Sequence, residues 1–167
     1  VEWQGCGVFV AATSGSGKST LAAELSLQGW RLLSDELALI DSDLRLVPCA
    51  RPISLKNQSI DVIRTRHPAA GFGQFARDTH KGTIAHIPAP KSSVDRNLET
   101  CPPRLIVFPK WTAYAPLRVE PVGSGQTALR LIDQSFTYPL LGQRGCERMA
   151  DWFESTAAAE RDYSSLG

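Results

Sequence analysis

No stretch of this sequence holds the ~20 consecutive apolar residues that a helix needs to span a bilayer, and no basic segment followed by an apolar run reads as a secretory leader. The expectation is a cytoplasmic protein with no membrane insertion. A surplus of either charge is also missing: 18 Lys and Arg face 17 Asp and Glu, for a net charge of +1. That balance removes the global field that draws proteins to nucleic acid or anionic lipid, so any anion specificity has to be local. Cysteine is sparse and scattered, at Cys6, Cys49, Cys101 and Cys146. No two are close enough for a metal knuckle or a redox pair, which leaves reduced, partly buried thiols as the expectation. His67, His80 and His86 are unequally spaced and do not spell a zinc site. Internal repeats, low-complexity tracts and interdomain linkers are absent too, and residues 1–167, with 43% hydrophobic and 21% charged side chains, suit one globular domain. The abrupt opening Val1-Glu2-Trp3, almost at once followed by an apolar strand, reads as a domain cut from a longer protein.

What the sequence does contain is an alternation of short apolar runs and helical segments. Residues 7–12 are apolar and bounded by glycine and a polar turn, the pattern of a buried central strand. Over 18–28, Leu21, Ala22, Ala23 and Leu25 supply helix formers and an apolar face, and Gly29 is the stop. Residues 30–33 read as a second strand running into Ser34-Asp35-Glu36, which makes a β-α-β unit. Residues 37–41 and 44–47 flank Ser42-Asp43 as an antiparallel hairpin. Ser54-Leu55-Lys56-Asn57 and residues 67–73 read as loops around a site. Residues 81–87 enter a strand ended by Pro88 and Pro90, and 105–108 form a buried strand bounded by Pro102-Pro103 and Pro109. Residues 117–120 alternate as a more exposed strand, a helix starts near Ser124 or Thr127, and a final helix covers about 147–159.

One motif carries specific chemistry: Ala12-Thr13-Ser14-Gly15-Ser16-Gly17-Lys18-Ser19-Thr20, set between the first strand and the first helix. Gly15 and Gly17 tolerate backbone angles that side chains resist, so the loop can curl with its amides pointing inward at phosphate oxygens. Lys18 adds a mobile positive charge for the β and γ phosphates, and the helix N-terminus adds free amides and the positive end of its dipole. The candidate nucleotide-binding residues are therefore Ser14, Gly15, Ser16, Gly17, Lys18, Ser19 and Thr20, with a nucleoside triphosphate and Mg2+ as the ligands and the Ser19 hydroxyl turned to the metal. The usual form of this loop opens on glycine; here that position is Ala12. If strand 30–33 runs parallel to 7–12, Asp35 emerges at the same carboxyl edge as the loop. There it can hold magnesium or take the proton of a hydroxyl nucleophile, and Glu36 supplies a second charge. Asp35 and Lys18 are the candidate catalytic residues, and Ser19, Asp35 and Glu36 the candidate metal ligands. Arg77, His80 and Lys81, and separately Lys56, Arg64 and Arg66, are further cations able to steady a transferred phosphate or an acidic substrate group. His86 has no assigned role.

In Ser14-Gly15-Ser16-Gly17-Lys18-Ser19, followed by Leu33-Ser34-Asp35-Glu36 and Leu39-Ile40, the chain resembles the bacterial HPr kinase/phosphorylase superfamily, especially its shorter HPr-kinase-related members. The stretch 51–57 and the stretch 81–86 are similar to patterns of the related-kinase branch, so that the likeness covers about 5–160. The resemblance implies an α/β nucleoside-triphosphate-binding domain with a mixed sheet and flanking helices, similar also to the nucleotide-binding part of phosphoenolpyruvate carboxykinases. It implies ATP- and magnesium-dependent phosphoryl transfer to a hydroxyl of a protein or peptide, a homo-oligomer, and Asp35 as the acid or base. The family's second aspartate is Glu36 here. Its glycine-rich signature for the reverse reaction has only a loose relative in Ala70-Gly71-Phe72-Gly73, which separates the carrier-protein substrate and the phosphorylase activity from the expectation. Two alternatives stand beside it: a nucleotide-gated binding module that organises 51–81 for a partner, and a small-molecule kinase.

Overall fold

In the computed structural model, which describes residues 1–13, 15–140 and 142–164, the chain opens on a tight hairpin. Strand β1 (Glu2–Trp3) turns through Gln4 and Gly5, at φ 49° and 80°, into β2 (Cys6–Val10). Helix α1 (Lys18–Leu27) follows, then the paired β3 (Leu39–Ile40) and β4 (Leu46–Val47), strand β5 (Ile53–Lys56) and helix α2 (Gln58–Arg66). Strands β6 (Ala76–Thr79) and β7 (Gly82–Ile87) lead to the short α3 (Lys91–Asp95) and the long β8 (Pro103–Trp111). The chain ends with β9 (Arg118–Pro121), α4 (Ser124–Ile132), a 3-10 turn (Tyr138–Leu140), α5 (Gly142–Ser155) and β10 (Ala157–Tyr163).

The result is a mixed α/β structure. Its larger sheet has the order β1-β2-β8-β10-β9, with β2, β8 and β10 parallel at the centre and antiparallel strands at both edges. A smaller antiparallel sheet has the order β5-β7-β6. Because side chains alternate along a strand, β2 sends Phe9 to one face and Val8 to the other. Phe9 joins Ile106, Phe108, Leu131, Trp152 and Phe153 in a cluster under α4 and α5, with the Trp152 ring edge-on to it at 5.9 Å. Val8 joins a second cluster made by Ala23 and Leu25 of α1, Ile53 and Leu55 of β5, and Ile60 and Ile63 of α2. Small residues at Ala22 and Ala23 let α1 approach both neighbours closely. The first helix is thereby locked to both sheets by apolar burial.

Several expected elements are where the pattern puts them: the β3–β4 hairpin, whose turn is tied by Asp41 Oδ1 accepting from the Asp43 and Arg45 amides at 2.9 Å each, strands β7, β8 and β9, and helix α4. Others differ. Residues 30–33 do not form a strand beside β2; only Arg31 bridges, antiparallel, to Glu2, with N–H···O distances of 2.8 and 3.0 Å. The β1 hairpin has taken the slot next to β2. Two antiparallel steps nevertheless leave this segment running in the direction of β2, and Leu32 and Leu33 are buried. Residues 54–57 are not a loop, since Ile53 and Leu55, 1% and 0% exposed, make β5 a core strand. The final helix stops at Ser155 and 157–163 are strand. Three alanines favour helix locally, but the slot between β8 and β9 demands an extended chain, and the tertiary demand wins. Strand β8 also runs through Pro103 and Pro109. Val107 turns its carbonyl to the end of β2, accepting from the Ala11 amide at 2.9 Å, so Pro109 two residues on turns its missing N–H to the same side, where β2 has ended. All four cysteines are free, and among the described residues no helix is long and apolar enough to cross a membrane.

Helices α1 and α2 are further joined by a buried carboxylate. Glu24 is 2% exposed and accepts from Arg66 at 3.0 and 2.8 Å and from Gln28 at 2.7 Å, with His67 Nε2 at 3.0 Å. Burial works to raise its pKa, but the hydrogen bonds from Arg66, His67 and Gln28 outweigh it and hold the group below the ordinary glutamate value of 4.5. A carboxylate with a depressed pKa contributes stability above its unfolded pKa and loses it as pH falls through the folded one. Glu24→Ala should therefore lower unfolding free energy by roughly 1–3 kcal/mol at neutral pH, and the gap to wild type should close as the pH falls below 4.5. Denaturant melts across pH 3–7 check this; a gap independent of pH would remove the ionic part of the clamp.

Candidate functional site

Strand β2 ends at Val10 and the chain passes through residues 11–17 into α1. Gly15 and Gly17 adopt φ of 86° and 89°, the left-handed conformation that the glycine spacing calls for. Gly17 caps α1, whose N-terminus takes no side-chain cap and has no acid in its first turn. Its backbone amides and positive dipole end are left facing the loop, the arrangement that suits an anion. Lys18 folds back across the loop, donating from Nζ to the carbonyl oxygens of Ala12 and, at 2.8 Å, Thr13. Ser16 Oγ donates to the same Thr13 oxygen at 2.8 Å. Ser19 and Thr20, half-buried, occupy the first turn of the helix. Ser14 lies outside the described residues.

The loop has a support that no local pattern announced. Tyr163, at the end of β10 and 5% exposed, stands with its hydroxyl 3.5 Å from the Ser16 carbonyl oxygen. A Cβ added to Gly17 would meet that hydroxyl oxygen at 2.6 Å, whereas one on Gly15 would meet nothing within 4 Å. Gly17 is thus constrained twice, by its backbone angle and by the ring beside it. Burial raises the Tyr163 pKa, which keeps the phenol neutral against the loop. The signal for this contact is a pairing across the sheet, visible only once β10 lies beside β8.

Asp35 arrives at the loop although its expected strand does not form, because the segment before it keeps the direction of β2. Its Oδ2 accepts from the Ser54 amide of β5 at 3.1 Å, while Oδ1 is buried with no hydrogen-bond partner among the described residues. Burial raises its pKa above the ordinary 3.8; the Ser54 amide, the Ser19 hydroxyl and the Lys56 charge pull it back, and Glu36 pushes it up. Burial likewise lowers the Lys18 pKa, with Asp35 attraction opposing it and Lys56 repulsion adding to it. Lys18, Ser19, Asp35 and Lys56 are therefore brought into one electrostatic neighbourhood, with Glu36 exposed at its margin.

The remaining sequence candidates are elsewhere or differently engaged. Arg66 gives its guanidinium to Glu24, and Arg64 lies over the Phe75 ring at 5.9 Å. Arg77, His80 and Lys81 lie exposed on β6 and its turn into β7, and among the described residues none of them hydrogen-bonds or ion-pairs with Lys18, Ser19 or Asp35. His86 is exposed on β7, opposite Ser54.

Among the described residues no group of three or more His, Cys, Asp or Glu gathers to hold a metal. Magnesium asks for less, since it keeps several waters and takes one or two carboxylates together with substrate phosphates. An unpaired, buried Asp35 oxygen beside the Ser19 hydroxyl fits that requirement. Comparison with known families, characterised proteins and solved structures finds no match to the chain.

Two outcomes follow for stability. Gly17→Ala should cost more than Gly15→Ala, which bears only the left-handed backbone penalty of roughly 1–2 kcal/mol. In a Tyr163→Phe background the excess should vanish, and a double-mutant cycle by chemical denaturation measures it; an excess that persists would place the strain elsewhere. A group whose folded pKa is raised stabilises when protonated and loses that contribution as pH rises through the folded value. Asp35→Asn should accordingly melt above wild type at pH 7, each kilocalorie per mole appearing as roughly 2–4 °C at this chain length. A lower melting temperature would show that ionised Asp35 is a structural asset.

Proposed function

We propose that this chain is a kinase of the HPr-kinase-related type, using ATP and Mg2+ to phosphorylate a hydroxyl group of a protein or peptide. The observation that carries this is the unpaired, buried Asp35 oxygen set beside Ser19 and a loop whose free amides and lysine suit phosphate. The fold, a mixed sheet with helices on both faces, supports this only coarsely.

In this account the amides of residues 15–20 hold the β and γ phosphates at the N-terminus of α1, aided by the dipole of the helix. Lys18 exchanges the carbonyl oxygens of Ala12 and Thr13 for phosphate oxygens, a short swing from where its ammonium already rests. Burial of Lys18 and Asp35 strengthens the interaction of each with charge placed between them. Ser19 and Asp35 would hold the magnesium ion, which when bound neutralises charge shared between the β and γ phosphates. The acceptor oxygen forms a bond to the γ-phosphorus while the bond from that phosphorus to the β,γ-bridging oxygen breaks. The electron pair of the broken bond stays with ADP, and the acceptor proton passes to Asp35. Glu36 keeps negative charge at the edge of the site and favours this proton uptake by raising the affinity of Asp35 for it. Positioning and electrostatics supply most of the acceleration, with no covalent intermediate on the protein.

Lys18→Ala should reduce transfer from γ-labelled ATP by about 10²–10³. Asp35→Asn should reduce turnover by about 10²–10⁴ while sparing more of the nucleotide affinity. Label transfer to a panel of serine- and threonine-containing peptides, with release to water as the background, provides the assay. Wild-type turnover in Asp35→Asn removes that residue from catalysis; stoichiometric binding with neither transfer nor release in the wild type leaves a binding module instead.

A further inference from the structure

Strand β5 alternates strictly. Ile53 and Leu55, 1% and 0% exposed, face the core, so Ser54 and Lys56 share the opposite face. The Ser54 amide is the point where β5 touches the Asp35 carboxylate, at 3.1 Å. Lys56 therefore stands two residues, roughly 7 Å of strand, from that contact.

Its backbone is fixed from several sides. The Lys56 amide donates to Ser59 Oγ at 2.8 Å, and that hydroxyl donates back to the Lys56 carbonyl at 2.6 Å. The next residue, Asn57, holds a positive φ of 50° and ties the β6–β7 turn to this junction. Its Oδ1 accepts from the Thr83 amide at 3.0 Å, and its Nδ2 donates to the Lys81 carbonyl at 3.2 Å. Gly82 is pressed against the Asn57 amide group so closely that a Cβ there would come within 2.2 Å of Oδ1. The side chain of Lys56, by contrast, is uncommitted: its ammonium makes no hydrogen bond or ion pair among the described residues. A rigid stem thus carries a free cation beside Asp35 and Lys18, where it acts on the charge of both. The Asp35 charge attracts both lysines and, at Lys18, outweighs the repulsion from Lys56, so two cations from different elements share one field that a polyanion would strengthen.

We propose that Lys56 is a further catalytic residue, contacting the γ-phosphoryl group of the bound triphosphate from the β5 side while Lys18 holds it from the loop. This rests on the triphosphate reading above and names the second cation of the same site. Lys56 stays protonated throughout the step already written and compensates charge on the γ oxygens, so its effect is confined to nucleotides that possess a γ-phosphate.

Calorimetric titration of the whole chain with the magnesium complexes of β,γ-imido ATP and of ADP tests this directly. Lys56→Gln should weaken the imido triphosphate about tenfold and ADP by less than about twofold, and Lys56→Arg should recover most of the loss. Because the side chain is exposed, melting temperatures of both variants should match wild type and report any folding defect. Equal weakening of both nucleotides, or of neither, overturns the assignment of Lys56 while leaving the loop as the nucleotide site. Failure of the wild-type chain to bind either nucleotide overturns the triphosphate reading itself, and the role of Lys56 with it.

Discussion

Holding a carboxylate away from water with one oxygen unpaired is unfavourable, and a fold keeps such a group only where its surroundings over-determine it. Asp35 is such a group, and the candidate site takes its geometry from the way it is held. The Ser54 amide fixes one oxygen from β5, Ser19 stands beside it at the start of α1, and Lys18 and Lys56 bring positive charge from two different elements. Each of these depends on a relation between parts of the chain that are distant in sequence. The cluster joining α1 to Val8 on one side and to Ile53 and Leu55 on the other sets the distance between loop and β5. The ionic clamp of Glu24 with Arg66 and His67 fixes the far end of the same helix. Stability far from the loop is thereby converted into position at the loop.

The loop itself is preorganised from the sheet. Parallel strands β2, β8 and β10 finish at the same edge, so the last residue of β10 can stand under a loop that begins nearly the whole chain earlier. Tyr163 uses that proximity to occupy the space that any side chain at Gly17 would need. Lys18, resting on the carbonyls of Ala12 and Thr13, keeps the loop closed around its own cation. An anion that replaces those carbonyls meets amides already aimed and does not have to order them, which is the favourable circumstance for binding.

What could be read from residues alone was geometry whose requirements are local. The left-handed angles of Gly15 and Gly17 follow from their spacing, and the strand-to-helix junction that carries Lys18 and Ser19 lies where hydrophobic pattern places it. Asp35 was legible for the same reason, at the end of an apolar run. What was not legible depended on pairing. Insertion of the β1 hairpin beside β2 displaced residues 30–33 from the sheet, and nothing in Val1-Glu2-Trp3 announces which neighbour it will choose. The alanines at 157–159 favour helix until β8 and β9 leave a vacant slot between them. Arg66 looked available for phosphate because its carboxylate partner sits on another helix, 42 residues away. Lys56 ranked with Arg64, Arg66 and the cations at 77–81 as a candidate for steadying phosphate until β5 set it apart by bringing it near Asp35.

The central claim is that the amides of residues 15–20 receive a triphosphate beside Asp35. Amide proton and nitrogen chemical shifts of the labelled chain, followed while the magnesium complex of β,γ-imido ATP is added, test it most directly. The account predicts saturable shifts concentrated at Gly15 through Thr20 and at the Ser54 amide that holds the carboxylate, with residues of α4 and α5 unmoved. Saturation that leaves those loop amides in place, or a footprint centred on another part of the chain, contradicts it.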